Sequence, residues 1–442
     1  MTKDSLAVAI EALSWMAYEG IGERTALFRS AAQLRVQAHN DLRQAHKLIM
    51  ETTRYKNHLE SVISGLVVHD GNERTPHGVT SFLLIIAYLK HVEDRPDRDI
   101  EQNVRWARQI LGWRELLPYE NAIALIASGR SSYSRGELGE DERIALQTCS
   151  PVWFVERTIR VFGRAFALKM LDRNLAQLPV YARLNTLKAS GWRSEETSKL
   201  FQAVRVQQLP SVLKIDRTRT VLTRSDLFKS GEIVFQDLAS IVSGLVLSPE
   251  RGSFVLDVCA APGNKTSHLA DIMGNEGEIC SIDVSEKRVA HWVAEMNRTG
   301  VEIAHPIHAD ARDIPVMKEA DLVLVDPPCS NTGVFARNPD AKWKVTSQSV
   351  EEFRMKQYAI LEAAAEHVRS NGTIVYCTCS VLPEENEFLI EDFLRNHHDF
   401  RLVPQRPFLG SPGLRGMDLC QRFYPHLHDC NGYFIAKMQR TG

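Results

Sequence analysis

From Phe254 onward the chain alternates short apolar, β-branched runs with longer helix-compatible stretches, a pattern that a parallel α/β sheet accommodates and few other folds do. The first run, 254–258, breaks at Cys259-Ala260-Ala261-Pro262-Gly263-Asn264-Lys265-Thr266 into helix-like sequence. Residues 277–282 read as a second strand ending at Asp283, followed by a helix over 287–299. A third strand, 303–309, ends at Asp310, and a fourth, 321–325, runs into Asp326-Pro327-Pro328-Cys329-Ser330. A helix over 351–369, stopped by Asn371-Gly372, leads to a fifth strand at 373–377. This order predicts a doubly wound, Rossmann-like sheet whose ligands sit at the carboxyl ends of its strands. Ala260, Ala261 and Gly263 let a ligand approach the backbone, and amides opening the next helix can point at it. The turn is not G-x-G-x-x-G and Pro262 removes an amide, so it fits a cationic nucleoside such as S-adenosylmethionine better than a pyrophosphate. Taken alone it is also compatible with a tight βα connection.

At 442 residues, 44% hydrophobic and 24% charged, the composition is globular and the length calls for more than one domain. The longest apolar run, 82–89, falls far short of the roughly 20 residues a membrane helix needs and reads as a buried helix. Lys3, Asp4 and Glu11 interrupt any secretory signal, so the cytoplasm is the default location and no membrane partner is expected. Eight cysteines without paired C-x-x-C spacing suit reduced thiols better than a disulfide frame or a zinc site. His426, His428 and Cys430 lie close in sequence, but no metal is expected there. The net charge of −2 hides an asymmetry. Residues 151–230 carry 15 basic and 6 acidic side chains, against 18 and 20 before them and 20 and 29 after them. Phosphate attraction is the simplest use of such a segment; a solvated basic face is the alternative.

Three domains are expected: a helical one over 1–147, a small basic α+β one over 148–247, and the Rossmann-like one over 248–442. The first shows helical spacing over 24–63 and 100–111, with breaks at Gly71, Pro76 and Gly78 and at Asp94, Pro96 and Asp97. The second shows a helix over 152–166 and strands at 181–188, 212–215 and 220–223. Thr148-Cys149-Ser150 repeats the tripeptide Thr378-Cys379-Ser380, but with no buried strand before it Cys149 reads as structural.

The cofactor-type turn, Asp257-Val258-Cys259-Ala260-Ala261-Pro262-Gly263-Asn264-Lys265-Thr266, resembles the D-x-C-A-A-P-G-G-K-T signature of the Sun (RsmB-type) family of RNA cytosine-5 methyltransferases. Asn264 stands where that signature has Gly, a substitution of low cost if the position is left-handed. Asp326-Pro327-Pro328-Cys329-Ser330-Asn331-Thr332-Gly333 is similar to the family's D-[AP]-P-C-S-G-T-G motif, again with Asn for Gly, and Tyr376-Cys377-Thr378-Cys379-Ser380 to its Y-x-T-C-S motif. Arg183-Leu184-Asn185-Thr186, the 231–240 lead-in and the 422–436 ending also resemble family segments, so the likeness runs from about Tyr181 to Ala436.

C5 of cytosine is a poor nucleophile until a thiolate adds at C6, and the C5 proton must later leave so that the thiolate can be expelled; the chemistry wants a nucleophile and a second acid–base group. The resemblance implies Cys379 as nucleophile, Cys329 as the aid to product release, and Asp326 on the cytosine ring nitrogen and amino group. It further implies S-adenosylmethionine as cofactor, held by Cys259, Ala260, Ala261, Pro262, Gly263, Asn264, Lys265, Asp283, Arg288, Asp310 and Asp326. Asp283 would accept the ribose hydroxyls and Asp310 the adenine amino group, Lys265 would reach toward the catalytic centre, and Cys259 would supply backbone only. For Arg288 a plain helix-surface role stays open, and Cys377 reads as a packed core thiol. The basic segment, with Arg183, Arg217, Arg219 and Arg224, would contact RNA. Ribosomal RNA is the first expectation and tRNA the second, with the protein acting as a monomer; the amino-terminal domain, which in several family members resembles the helical factor NusB, reads as an RNA-docking or partner module or equally as a structural appendage. A non-catalytic RNA-binding assembly factor, and a methyltransferase of proteins or small molecules, are the competing classes.

Overall fold

The computed structural model describes residues 1–64, 66, 75–130, 138–189, 191, 201–218 and 222–442. Gly71 and Arg219 lie outside them. The chain forms two compact units where three domains were expected: residues 1–175 with 338–344, and residues 176–337 with 345–442.

The first unit is helical. The apolar run 82–89 sits inside the His77–His91 helix and is buried along most of its length against Leu6, Ile10, Ile49 and Ile100 from three other helices. The expected helix over 152–166 is broken by Gly163 (φ 77°, ψ 153°) into Val152–Phe162 and Arg164–Arg173. Both belong to the helical unit, so part of the basic segment lies outside the small α+β region assigned to it. Cys149 is buried, and burial pushes its thiol up to about 11, which suits a packing role. The same unit takes in Asn338–Lys344 from the far half of the sequence. The last carbonyls of a helix have no intrahelical partner; here Trp343 Nε1 donates to Thr53 O (2.6 Å) and Lys342 Nζ to Arg54 O (2.9 Å), closing the His39–Arg54 helix.

The second unit holds two sheets. Strands β1 (Val180–Leu184), β2 (Phe201–Val206), β3 (Leu209–Thr218) and β4 (Ile233–Phe235) form an antiparallel sheet in the order β2-β3-β1-β4. The strand expected at 220–223 is not seen: 222–224 is a 3₁₀ turn and the rest lies outside the described residues. The larger sheet contains β5 (Phe254–Val258), β6 (Glu278–Asp283), β7 (Ala304–His308), β8 (Ala320–Val325), β9 (Val368–Thr378), β10 (Phe400–Leu402), β11 (Ser411–Pro412), β12 (Gln421–Phe423) and β13 (Tyr433–Arg440). Its order is β11-β12-β13-β9-β8-β5-β6-β7, with β10 on β13; β5 to β9 are parallel and β13 runs antiparallel to β9. This is the Rossmann-like sheet the alternation predicts, and β5 is buried at every position, as a central strand covered on both faces must be.

The boundaries before the fifth strand differ, and the strand itself spans Val368–Thr378 against the expected 373–377. The helix expected over 351–369 spans Ser347–Glu366, and Asn371 and Gly372 do not stop it but lie within β9. The pairing of β8 with β9 slips between Ala320 and Leu322, and Asn371, at φ 61°, occupies the resulting bulge.

Arg183 and Asn185, read from sequence as part of an RNA-contacting run, are buried instead. Arg183 pairs with Asp271 at 2.5 Å and donates to Ser267 Oγ and Gln236 Oε1, while Asn185 Nδ2 donates to the carbonyls of Gly231 (2.8 Å) and Thr299 (2.7 Å). They hold the small sheet against the helix at the cofactor-type turn; of the four arginines named for RNA, Arg224 is exposed.

Candidate active site

The carboxyl ends of β5, β6, β8 and β9 bring the predicted residues to one edge of the sheet. After β5 the chain turns through Cys259 to Gly263, and two residues of that turn are left-handed, Cys259 (φ 65°) and Gly263 (φ 108°). Asn264 opens the Asn264–Met273 helix. The expectation of a left-handed Asn264 is therefore replaced by one on Gly263, where a Cβ would come within 2.8 Å of Met296 Cε and 3.1 Å of Trp292 Cδ1. Beneath the turn Asp257 is fully buried; burial pushes its carboxyl up to about 7, partly offset by the Thr266 hydroxyl 2.6 Å away.

A cleft of about 590 Å³, inside the roughly 300–1,000 Å³ range of small-molecule sites, is lined by Cys259, Asp283, Arg288, Asp310, Asp326 and Cys329 among others. Asp283 Oδ2 accepts from Ala261 N and Oδ1 from Ser285 N, both at 3.1 Å, and Arg288 reaches Asp283 at 3.3 Å and donates to Ala261 O. Arg288 is thus a brace between turn and strand end. Val284, 63% exposed, offers the cleft an apolar side chain that the sequence reading overlooked. Asp310 is engaged by Arg312 at 2.6 Å, and the Arg312 hydrogen bonds hold its carboxyl down to about 2. A carboxylate at a strand end beside small residues and an apolar platform fits the ribose and base of S-adenosylmethionine. Asp283→Ala should weaken cofactor binding roughly ten- to hundredfold, the loss of a hydrogen bond to a charged group costing about 1.5–3 kcal/mol. Titration calorimetry with S-adenosylmethionine checks this; wild-type affinity in a folded variant contradicts it.

A second cleft, about 390 Å³, is lined by Ala260, Ala261, Pro262, Asn264, Lys265, Asp237, Arg337 and Tyr433. Asp326 and Cys379 line both clefts. Lys265 Nζ meets Asp326 Oδ2 at 2.6 Å; burial works against its ammonium, but the Asp326 carboxylate outweighs this and holds it above the ordinary lysine range.

Cys329 follows β8 and Cys379 directly follows β9, and their sulfurs stand 3.1 Å apart. The hydrogen bond that Cys329 donates to Cys379 and then burial raise the Cys329 thiol well above its ordinary value. Cys377 is buried and pushed upward by burial, with Asp326 Oδ1 3.6 Å from its sulfur. Two residues to which the sequence reading gave no role hold this pair. Glu385, fully buried, accepts from Ser330 N (2.8 Å), Ser330 Oγ (2.5 Å), Gln357 Nε2 (2.9 Å) and Ser380 Oγ (2.5 Å), so one carboxylate ties the residue after each cysteine. Asn331, at φ 58°, places its side chain between the two cysteine loops. Gly333 N donates to Cys379 O (2.9 Å), and a Cβ there would lie 2.1 Å from Gly432 O, so only glycine lets the loops close. His428 Nδ1 accepts from Tyr424 N, and among the described residues no group of His, Cys, Asp and Glu could hold a metal. Nor is any described helix long and apolar enough to cross a membrane.

Comparison with known proteins places this geometry. The profile of 16S rRNA methyltransferase RsmB/F matches residues 244–439. The probable ribosomal RNA small subunit methyltransferase B of Synechocystis is 31% identical over 314 residues, covering 68% of this chain and 70% of the relative. The chain belongs to the RsmB/F methyltransferase family. The tRNA (cytosine(72)-C(5))-methyltransferase of Pyrococcus horikoshii is 37% identical over 221 residues, 50% of this chain and 55% of that protein. The solved structure of PH0851 superposes with a TM-score of 0.84 at 27% identity, over 100% of this chain and 99% of that one. The RsmB/F match contains both cysteines, Asp326, Lys265, Asp283, Arg288 and Asp310, and leaves residues 1–175 and the small sheet outside it.

Proposed function

We propose that this protein transfers a methyl group from S-adenosylmethionine to C5 of a cytidine in RNA through a covalent bond between Cys379 and C6. The observation that carries the reading is the pair of thiols 3.1 Å apart where two clefts meet at Asp326. In this account the cleft at Asp283 holds the cofactor and the cleft at Lys265 and Tyr433 receives the base, turned out of its stack. S-adenosylmethionine, when bound, supplies an electrophilic methyl group. The Cys379 thiol proton passes by way of the Asp326 carboxylate, held by the Lys265 ammonium, to the ring nitrogen; Cys379 Sγ adds to C6, the C5–C6 double bond breaks and C5 becomes nucleophilic, while the protonated ring nitrogen and the amino group donate to Asp326. Once Cys379 is bonded to carbon, the hydrogen bond that most raises the Cys329 thiol is gone. Once C5 carries the methyl group, Cys329 gives up its proton to water and as thiolate takes the C5 proton, so that the C5–C6 double bond reforms and Cys379 leaves as thiolate, regaining its proton from the ring nitrogen.

Ribosomal RNA is the first substrate class, following the name of the Synechocystis relative, and tRNA the second, following that of the archaeal one. A fold retained only for RNA binding would have no use for a paired thiol site lodged between two clefts. Bisulfite mapping of cellular RNA with and without the protein tests both points. One or a few protected cytidines in small-subunit rRNA are expected; a protected tRNA position redirects the substrate, and no lost site in any RNA overturns the reading.

A further inference from the structure

Asp326 follows β8 and Cys377 lies near the end of β9, and the parallel register that sets Val325 beside Tyr376 puts the next residue of each strand side by side. The Cys377 thiol donates to Asp326 Oδ1, its sulfur 3.6 Å from that oxygen, while Lys265 Nζ donates to Asp326 Oδ2 at 2.6 Å. Each oxygen of the carboxylate therefore has a protein donor of its own. A carboxylate held through one oxygen still turns about its Cβ–Cγ bond, a torsion with broad wells; held through both, its plane is fixed. Each oxygen offers about two acceptor directions, so one on each stays open. A protonated ring nitrogen and the neighbouring amino group of cytosine would meet that pair together.

Cys377 is fully buried and lines neither cleft, so it reaches the reaction only through Asp326. Burial and then the Asp326 carboxylate raise its thiol far above the ordinary range, against the Lys265 ammonium and the Tyr433 hydroxyl, so the sulfur keeps the proton it donates. The Tyr433 hydroxyl donates toward the same sulfur, and a thiol that accepts one hydrogen bond gives its own more strongly. We infer that Cys377 is a positioning residue whose thiol fixes the plane of the Asp326 carboxylate and turns its two open acceptor sites to the cytosine edge. The inference rests on the reading of Asp326 as the group that meets the base.

The first measurement needs neither RNA nor cofactor. A thiol S–H stretch absorbs where other protein groups do not, and subtracting the infrared spectrum of Cys377→Ser from that of the free full-length protein leaves the Cys377 band. It should lie below the frequency of an unbonded thiol, and move up when the same subtraction is made in the Asp326→Ala background. A band at the unbonded position, or one that Asp326→Ala leaves in place, overturns the inference. The second measurement is single-turnover methylation. Cys377→Ala should slow it roughly tenfold, the loss of one hydrogen bond to a charged group, with KM for RNA and affinity for S-adenosylmethionine unchanged. Cys377→Ser keeps a donor and should recover most of the rate. An Ala variant at the wild-type rate overturns the inference, and so does a Ser variant as slow as Ala, which reports packing alone. If the Ala variant does not fold, the infrared band still decides. Should the wild-type protein methylate no RNA, the proposed function fails while the infrared result stands.

Discussion

Cys379→Ala is expected to bind RNA and cofactor yet transfer no methyl group above background, and to leave no RNA–protein complex that survives denaturation. Without the sulfur no bond to C6 forms, and C5 stays too weak a nucleophile to take the methyl group. Cys329→Ala should fail at a later step. Addition and methyl transfer proceed, the C5 proton has no nearby acceptor, and protein linked to RNA accumulates when S-adenosylmethionine is present. The 3.1 Å approach of the two sulfurs makes the contrast sharp, because either thiol is near enough to substitute for the other if the roles are exchanged. A denaturing gel with labelled RNA separates the cases. Trapped complex with Cys379→Ala and none with Cys329→Ala reverses the assignment.

The second large effect is expected at Asp326. Asp326→Asn preserves shape and removes the charge that pairs with Lys265 at 2.6 Å, so the ring nitrogen of the base loses the carboxylate that delivers its proton and then accepts its hydrogen bond. Turnover should fall on the order of 10²–10⁴-fold, the range for a lost acid–base or charge-stabilising group. Cofactor affinity should change far less, since Asp283 lies at the end of a different strand. Single-turnover methylation with saturating RNA separates chemistry from binding. A variant that turns over normally and only raises KM places Asp326 in binding alone.

What sequence revealed and concealed follows from how local each signal is. The alternation from Phe254 onward and the position of Cys329 and Cys379 after successive strands are properties of short segments, and the sheet order then brings the two strand ends together. Arg183 was misread because a charged residue in a basic stretch looks solvent-facing, while its partner Asp271 is 88 positions away and becomes visible only when the small sheet docks. Asn371-Gly372 gives a helix-stop signal that a β-bulge satisfies equally well. Glu385 sits in Pro383-Glu384-Glu385-Asn386, which looks like an exposed acidic turn; its burial under Ser330 and Ser380 depends on two loops from different strands meeting over it. The departure at Asn331 was visible, but not that its amide would lie between the Cys329 carbonyl and the Cys379 sulfur. The capture of Asn338–Lys344 by the helical unit left no local mark, being a match between donors on one short helix and the open carbonyls of another.

The account stands or falls on a bond between Cys379 and C6 of the target cytidine, and RNA carrying 5-fluorocytidine reports it directly. With fluorine at C5 there is no proton to remove after methyl transfer, so the sulfur–carbon bond cannot be released by elimination. Protease and nuclease digestion of the wild-type product, followed by mass spectrometry, should give the peptide containing Cys379 with a methylated fluorocytidine nucleotide attached through its sulfur, only when S-adenosylmethionine is present. The same mass on the Cys329 peptide, or normal release of methylated RNA with no adduct on either cysteine, contradicts the account.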